Sequence, residues 1–493
     1  MMTRKAVAKI AIKQIRFFMR NVRTRMPFKY GVATLTSVPI LHLRLDGELE
    51  NGAAASGWAA DILPPKWFDK DPKKEYENNV ADLIAAAQAA AIAFAGAARA
   101  PQSVFDTWFD GYHETLAFGD DHGLNHLTAG HGSSLLERAL IDAVGAACEQ
   151  TYAQLLATNA LGIDLGRIHP ELRGVEPSQV LPAHPLKRIW VRHCVGLADP
   201  IRRVDIPAGD VLADGLPQAL EDYVEDQGLA YFKVKVSGDL AADLERLRDV
   251  ASLLAEHRGH YWVSLDGNEQ YVEMESFQQL LAKLEASEND DLARFYERII
   301  YLEQPLERSV ALNPELEKGI REISARKAML IDESDGDLDS FKRAVALGYS
   351  GVSSKNCKGL IKALANQGLA RHYSAQGDAG TRPYFLSGED LMNLPVVPLH
   401  QDLTHAAALG IAHVERNGHH YVRGLDHLSA GEREACSRHH ATLYRALDSA
   451  TLALDVRGGQ VDVSSLQRPG LGSGFDVDDD SMTPLENWRF ASL

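Results

Sequence analysis

Cysteine is scarce in this chain: Cys148, Cys194, Cys357 and Cys436 are the only four among 493 residues, and no two form a Cys-x-x-Cys pair. That spacing excludes a disulfide framework or a cysteine-built zinc site and points to reduced thiols in a cytoplasmic protein. Long apolar runs are missing as well. The most apolar stretch, Leu83 to Ala98, is alanine-rich, interrupted by Gln88 and reads as too short to span a bilayer, so no membrane partner is expected. Positive charge is in deficit, with 51 Lys and Arg against 68 Asp and Glu, and the net charge of −17 disfavours nucleic acid. Low-complexity tracts are absent, and short acidic runs such as Asp478 to Asp480 read as solvated surface. Acidic residues are themselves absent before Asp46, which gives the N-terminus the composition of a transit peptide. The alternation Lys9-Ile-Ala-Ile-Lys13-Gln-Ile15 suits a first strand of a folded domain better, with a second strand at Ile40 to Leu45 before an Asp46-Gly47 turn.

What is present is a repeat of short apolar runs that each end in charge. The runs begin at Tyr231, Tyr261, Ile299, Ala328 and Gly351, and amphipathic patterns such as Leu240 to Glu256 and Asp339 to Leu347 lie between most of them. Lys235, Asp266, Glu303, Asp332 and Lys355 follow one another at separations of 31, 37, 29 and 23 residues. A (β/α)₈ barrel uses roughly 30 residues per strand-helix unit, so these charges fall once per unit at the C-terminal ends of successive parallel strands. There they converge on one mouth. A first barrel strand is expected at Arg188 to Val195, a seventh at Tyr384 to Ser387 and an eighth at His420 to Arg423, with a helix holding His400 to Ala412 between the last two.

Carboxylate oxygens suit Mg²⁺, which leaves coordination positions open to a substrate carboxylate, and Asp266, Glu303 and Asp332 are the expected ligands. Lys233 and Lys235 alternate on one strand and point to the same side, while Lys355 comes from across the mouth. Two ammonium groups facing one metal-bound substrate form an acid/base pair. Neighbouring positive charge and desolvation can bring such a lysine to roughly 7–8, and Lys233 is expected to act on Lys235 in this way and to contact the substrate carboxylate. Asn268 and Gln304 are expected to orient ligands, and Glu333 either to support the site, to pair with Lys355 or to replace Asp332 as ligand. Lys358 is expected in a loop.

The Lys-x-Lys at Lys233/Lys235, Asp-x-Asn at Asp266/Asn268, Glu-Gln-Pro at Glu303, Asp-Glu-Ser at Asp332 and the strand-six lysine Lys355 together resemble the enolase superfamily, and more closely its muconate-lactonizing subgroup. The resemblance covers nearly the whole chain. It implies a (β/α)₈ barrel with an N-terminal α+β capping domain completed by the C-terminal segment, one Mg²⁺ per subunit with Mn²⁺ as a substitute, and removal of the α-proton of a small carboxylate to give a metal-stabilised ene-diolate. The implied outcome is racemisation, epimerisation or cycloisomerisation; a lyase expelling a β-leaving group from the same intermediate, or a non-catalytic carboxylate-binding barrel, are the alternatives. A His-Asp dyad on strands six and seven, which marks the mandelate-racemase subgroup, is not found because strand six carries Lys355.

The resulting domain expectation is a capping domain over 1–165, a barrel over 186–445 and a returning segment over 446–493, with a homo-oligomer left open. Hydrophobic content of 45% supplies the cores. The loops Met26 to Gly31 and Ala60 to Pro64 would face substrate, which makes Phe28, Tyr30 and Asp61 candidate contacts, as are Glu389 and Asp426 after strands seven and eight. The single carboxylate of Gly424-Leu-Asp426 argues against a dipeptide ammonium as ligand. Helical patterns at Glu75 to Ala100 and Ser133 to Thr158 flank residues 101–132, which carry His113, His122, His126 and His131. The His122/His126 pair has a metal-site spacing, but without cysteine or a clear helical flank the segment reads as a histidine-rich loop. Gly470-Leu-Gly-Ser-Gly474 follows no barrel strand and reads as a turn rather than a phosphate loop.

Overall fold

The N-terminal alternation builds a long antiparallel meander of β1 (Lys9–Tyr30), β2 (Ala33–Leu49) and β3 (Ala54–Ile62). The computed structural model describes residues 6–30, 33–377 and 382–491. Asp46 and Gly47 do not form the expected turn. They lie inside β2, where Gly47 lets the strand pass close to Ala11, and the chain reverses instead at Glu50 to Gly52, with Gly52 at φ +84°.

Three helices cover this sheet: α1 (Tyr76–Ala97), α2 (Val104–His122) and α3 (His126–Ala147). The expected histidine-rich loop is therefore mostly helix. Val104, Phe105, Trp108, Tyr112, Thr115 and Leu116 recur at helical spacing and are buried, Ser103 caps the N-terminus by accepting Asp106 N–H at 3.0 Å, and Gly123 ends the helix at φ +68°. That glycine also separates the two histidines once read as a pair. His122 closes α2 against Phe118 O, whereas His126 opens α3 and reaches Asp120 at 3.0 Å. The 22-residue α1, whose most apolar 18 residues have a mean hydropathy of 1.7, is long and apolar enough to cross a membrane, contrary to the length read from sequence. Its Leu83, Ala87, Ala90 and Phe94 are instead packed into the capping core, with Gly132 of α3 pressed against the Ala86 carbonyl.

Eight parallel strands follow: Arg188–Val195, Tyr231–Lys235, Trp262–Asp266, Ile299–Glu303, Met329–Ile331, Gly351–Ser354, Phe385–Gly388 and His413–Arg416. They pair in sequence order and close, strand eight lying beside strand one with Glu415 opposite Arg192. Strand eight is thus not at His420 to Arg423. The preceding helix Val397–Leu409 stops at Gly410, φ +77°, three residues before His413, while Gly418–Tyr421 is a helical turn. A strand at 420 would have needed a ten-residue irregular link where αβ connections take about 2–6. The chain end then ties both parts together: Gln460–Asp462 pairs antiparallel with strand one, Asp142 on α3 accepts Leu471 N–H, and Thr483 and Pro484 pair with Met19 and Phe18 of β1.

The cap and barrel are joined by polar contacts as well as by the continuous core. Arg138 of α3 donates to Asp61, to Ala60 O and to Gln401 of the barrel, all buried. The adjacent residue, Glu137, accepts Ile361 N–H at 2.6 Å at the start of helix Leu360–Gln376. Burial pushes the Glu137 carboxyl from its ordinary 4.5 up to about 7, despite the backbone N–H donors of Ile361 and Leu360 that oppose the rise. The folded protein therefore holds this proton more tightly than the unfolded chain. Its contribution is fully present below about pH 4.5, declines as pH rises, and above about pH 7 the charged form costs on the order of 3 kcal/mol. Glu137→Gln should flatten that decline and raise the melting temperature at about pH 8, as thermal denaturation across pH would show. An unchanged pH profile would contradict the assignment.

Candidate active site

Sequence pattern delivers the charges to one level of the barrel. Lys235, Asp266 and Glu303 are hydrogen-bonded neighbours in register at the last residues of strands two, three and four, and Asp332 and Lys355 stand one residue beyond strands five and six. All five are buried, as is Lys233. They do not form isolated groups but an ion-pair lattice. Lys233 Nζ lies 2.7 Å from Glu303, 2.9 Å from Glu389, 3.0 Å from Glu415 and 3.3 Å from Asp266. Lys235 pairs with Asp266 at 2.8 Å, and Lys355 pairs with Asp332 at 2.6 Å while its ammonium sits 4.3 Å above the Trp67 ring.

The electrostatics follow from that lattice. Burial alone would lower the Lys233, Lys235 and Lys355 ammonium values, but Asp266 beside the first two and Asp332 beside the third outweigh it, and all three are held above the ordinary lysine range. Lys233 does lower Lys235, as expected, but the Asp266 carboxylate at contact distance outweighs it, so the expected fall of Lys235 toward neutrality does not occur. Burial is likewise overcome at Asp266 by Lys233 and Lys235, and at Asp332 by Lys355 and Lys358, so both stay below the usual carboxylate range. Glu303 goes the other way. Burial and the neighbouring Asp266 and Glu389 carboxylates raise it well above ordinary, even with Lys233 in contact.

Other expected residues take mixed positions. Asn268, at φ +44°, takes its own N–H to Asp266 at 2.8 Å and its amide to Glu333 at 3.0 Å. Gln304 accepts Asp332 N–H at 2.9 Å and donates to Ser334. Glu333 faces Asn268 rather than Lys355, and burial with Asp332 nearby pushes it up to about 7. Phe28 lines the cavity and stacks on Tyr421 at 4.1 Å. The Tyr30 side chain lies outside the described residues. Asp61 is turned away, paired with Arg138 inside the cap, and its neighbours Ile62 and Pro64 line the cavity instead. Glu389 sits below the mouth, bound by Arg192, Lys233 and Ser387. Asp426 is at the surface on Arg423, because strand eight ends ten residues earlier, and the argument against a dipeptide drawn from it lapses.

Several groups escaped the sequence reading. Lys358, expected in a loop, is buried with its ammonium 2.9 Å from Asp332 and 2.6 Å from Ser353. Glu415 and Asn417 come from the true strand-eight end, and Trp67 from the cap. A signal for Glu415 existed, since Val414 to Asn417 again runs apolar then charged, but the run is only four residues long. The cap loop carrying Trp67 is pinned down: Arg308 binds Glu269 at 2.7 Å and the Trp67 and Phe68 carbonyls at 2.8 and 2.7 Å, and Lys70 adds a 2.6 Å pair to Glu269. The cavity between cap and barrel opens to solvent on one side, and its empty volume, open mouth included, is about 420 Å³.

The site's own atoms decide whether it suits a divalent cation. As placed, the carboxylates turn toward lysines, and among the described residues no three His, Cys, Asp or Glu stand together as a ligand set. Yet Glu303 Oε2, Glu333 Oε2 and Asn268 Oδ1 are buried acceptors with no hydrogen-bond partner. An all-oxygen, carboxylate-rich set with such unspent lone pairs fits a hard divalent ion. The Lys233 lattice also sets a stability test. Lys233→Met would leave Glu303, Glu389 and Glu415 without their shared cation, so denaturant unfolding should show a loss of about 3–5 kcal/mol. Parent-like stability would mean that the carboxylates do not depend on Lys233.

No protein-family model matches the chain, and no curated protein matches it by sequence. Solved structures do. A Bradyrhizobium enolase complexed with magnesium and mandelic acid is 16% identical, with 98% of each chain covered and a TM-score of 0.56. The muconate lactonizing enzyme of Pseudomonas fluorescens, complexed with muconolactone, is 15% identical over 96% of this chain and 98% of that one, TM-score 0.56. The L-Ala-D/L-Glu epimerase of Bacillus subtilis is 15% identical over 94% and 98%, TM-score 0.55. With its closed barrel and antiparallel cap, the chain has the fold of the mandelate racemase/muconate lactonizing enzyme group of the enolase superfamily.

Proposed function

We propose that the protein is an enzyme that removes the α-proton of a small carboxylate substrate, and that the reaction is a racemisation, epimerisation or cycloisomerisation. The observation that carries this reading is the placement of Lys235 and Lys355 on opposite strands, two and six of eight, with Asp266, Glu303 and Asp332 on the three strands between them. Mg²⁺ or Mn²⁺, held by those three carboxylates, would bind the substrate carboxylate and supply charge stabilisation when the α-proton leaves. Lys235 and Lys355 would then address opposite faces of the α-carbon. Each is now an ammonium on a single carboxylate, Asp266 or Asp332, and can act as a base only after that partner is taken up elsewhere. Trp67 covers Lys355 and keeps water from it, and Lys233 holds the carboxylate level of the barrel in place. A cytoplasmic location belongs to the same reading, supported by four widely spaced cysteines, no two of which form a Cys-x-x-Cys pair.

The structural neighbours that are named an epimerase and a muconate lactonizing enzyme support the reaction class. A lyase would use the same groups with one lysine as base and the other as acid, and exchange kinetics separate the two readings. In deuterated water with Mg²⁺, the parent protein should exchange the α-proton of its substrate and complete inversion or cyclisation. Lys235→Ala should exchange one configuration only and Lys355→Ala only the other, each losing about 10²–10⁴-fold in the full reaction. Exchange of both configurations at the parent rate by Lys355→Ala would remove Lys355 as a base and favour elimination.

Metal dependence forms a separate test. Chelation should abolish exchange, added Mg²⁺ should restore it, and Glu303→Gln should not recover at ordinary metal concentrations. Full activity of metal-free protein in chelator would sink the metal assignment.

A further inference from the structure

This inference rests on the proposed reading, in which Lys355 acts as a base, and deepens it by naming the residue that positions the cover over that base. Trp67 belongs to the cap and Lys355 to the barrel, yet the indole lies 4.3 Å from the ammonium and is almost fully buried. The fastening comes from the barrel side. Arg308, in the loop after strand four, turns Nε and Nη2 to the two Glu269 oxygens, each at 2.7 Å, and Nη1 and Nη2 to the consecutive carbonyls of Phe68 and Trp67 at 2.7 and 2.8 Å. Phe68 O has a second donor in Asn125 at 2.9 Å, whereas Trp67 O receives Arg308 alone among the described residues.

That fastening stands on a rigid base. The loops after strands three and four stay laced together beyond the barrel ladder, with Gly267, Glu269 and Tyr271 N–H donating to the Glu303, Gln304 and Pro305 carbonyls at 2.9, 3.0 and 3.0 Å. Glu269 is held at φ +63°, a left-handed conformation that costs energy for a residue with a side chain, and its carboxylate also takes Lys70 of the cap loop at 2.6 Å. Because these two loops follow Asp266 and Glu303, the cover over Lys355 is tied to the carboxylate side of the mouth. Of the two lysines read as bases, Lys355 is the one under Trp67. We infer that Arg308 is a positioning residue, which through the Trp67 and Phe68 carbonyls holds the indole as a seal between Lys355 and solvent. Its five donors in one plane serve four oxygens together; a lysine here has three donors on one atom and cannot reach all four.

Lysine labelling on the full chain with Mg²⁺ present tests this, with formaldehyde and a borane reductant as the probe and peptide mass spectrometry as the readout. Lys355 should label slowly in the parent protein. Arg308→Ala should speed Lys355 labelling by about tenfold or more, hydrogen bonds from a charged donor being worth that factor in the population of the opened loop. The rate should approach that of Trp67→Ala, and Lys235 should stay at the parent rate. Arg308→Lys, which keeps the charge beside Glu269 and guards against misreading a folding defect, should speed Lys355 less but in the same direction. Dilute guanidinium, but not sodium chloride, should return Arg308→Ala to the parent rate, to which a general loosening would not respond. Parent-rate labelling of Lys355 in Arg308→Ala, an equal rise at Lys235, or a rise that guanidinium does not reverse overturns the inference. The probe needs no substrate, so each of these leaves the α-proton reading standing. Failure of that reading shows separately, as a parent protein that exchanges no carboxylate α-proton in deuterated water, and it removes the role of the seal whatever the labels show.

Discussion

A single ammonium group sets the interior of this barrel. Lys233 meets carboxylates from strands three, four, seven and eight within 3.3 Å, and two of those carboxylates also hold Lys235 and Arg192. Removing charges from water is expensive, and mutual attraction offsets the cost only where partners are close and hydrogen-bonded. Here the compensation extends outward in pairs: Arg192 on Glu389, Lys235 on Asp266, Lys355 and Lys358 on Asp332, Arg416 on Asp390 and Asp402. The balance is incomplete at Glu303 and Glu333. Glu303 keeps an unpartnered oxygen and a raised affinity for protons, in the position from which a cation would be held.

The cap is part of the same electrostatic design. Its meander and three helices share one continuous apolar core with the barrel, and polar contacts add direction over the mouth: Arg138 with Asp61 and Gln401, Glu137 with the start of helix Leu360–Gln376, and Arg308 with the Trp67 and Phe68 carbonyls. Arg25 adds a fourth, reaching Asp214, the Leu216 and Pro217 carbonyls and the His420 carbonyl from the hairpin that carries Phe28. Directional bonds place Phe28 and Trp67 more narrowly than apolar packing would. The cavity is therefore a product of the interface between two bodies, the usual setting for a small-ligand site.

Reading the sequence worked best where local pattern and global fold agree. Strands two to six were legible because each is a run of three to five residues followed by a helical pattern, and the charges at or just beyond their ends marked the mouth. It failed where two patterns competed. His420 to Arg423 alternates like a strand, but the helix stop at Gly410 had already committed the chain to a strand at His413. Residues 101–132 drew attention to histidines when the aromatic spacing of Phe105, Trp108 and Tyr112 was the stronger signal. The Asp46-Gly47 dipeptide looked like a turn because pairing partners cannot be seen in one strand alone.

By itself, the sequence determined the repeating strand-helix architecture, the order of the charged strand ends and the identity of Lys235, Asp266, Glu303, Asp332 and Lys355 as a set, since all of these follow from residue type and spacing along one chain. Only the tertiary structure decided which charge meets which. That Lys233 is a shared counter-ion, that Lys358 reaches Asp332, that Asp61 and Asp426 are drawn off by arginines and that Glu415 and Asn417 face the cavity all depend on distances across the barrel. Coulomb interaction and hydrogen bonding act over a few ångströms of space, and residues as far apart in sequence as Lys233 and Glu415, 182 positions, are brought within that range only by closure of the sheet.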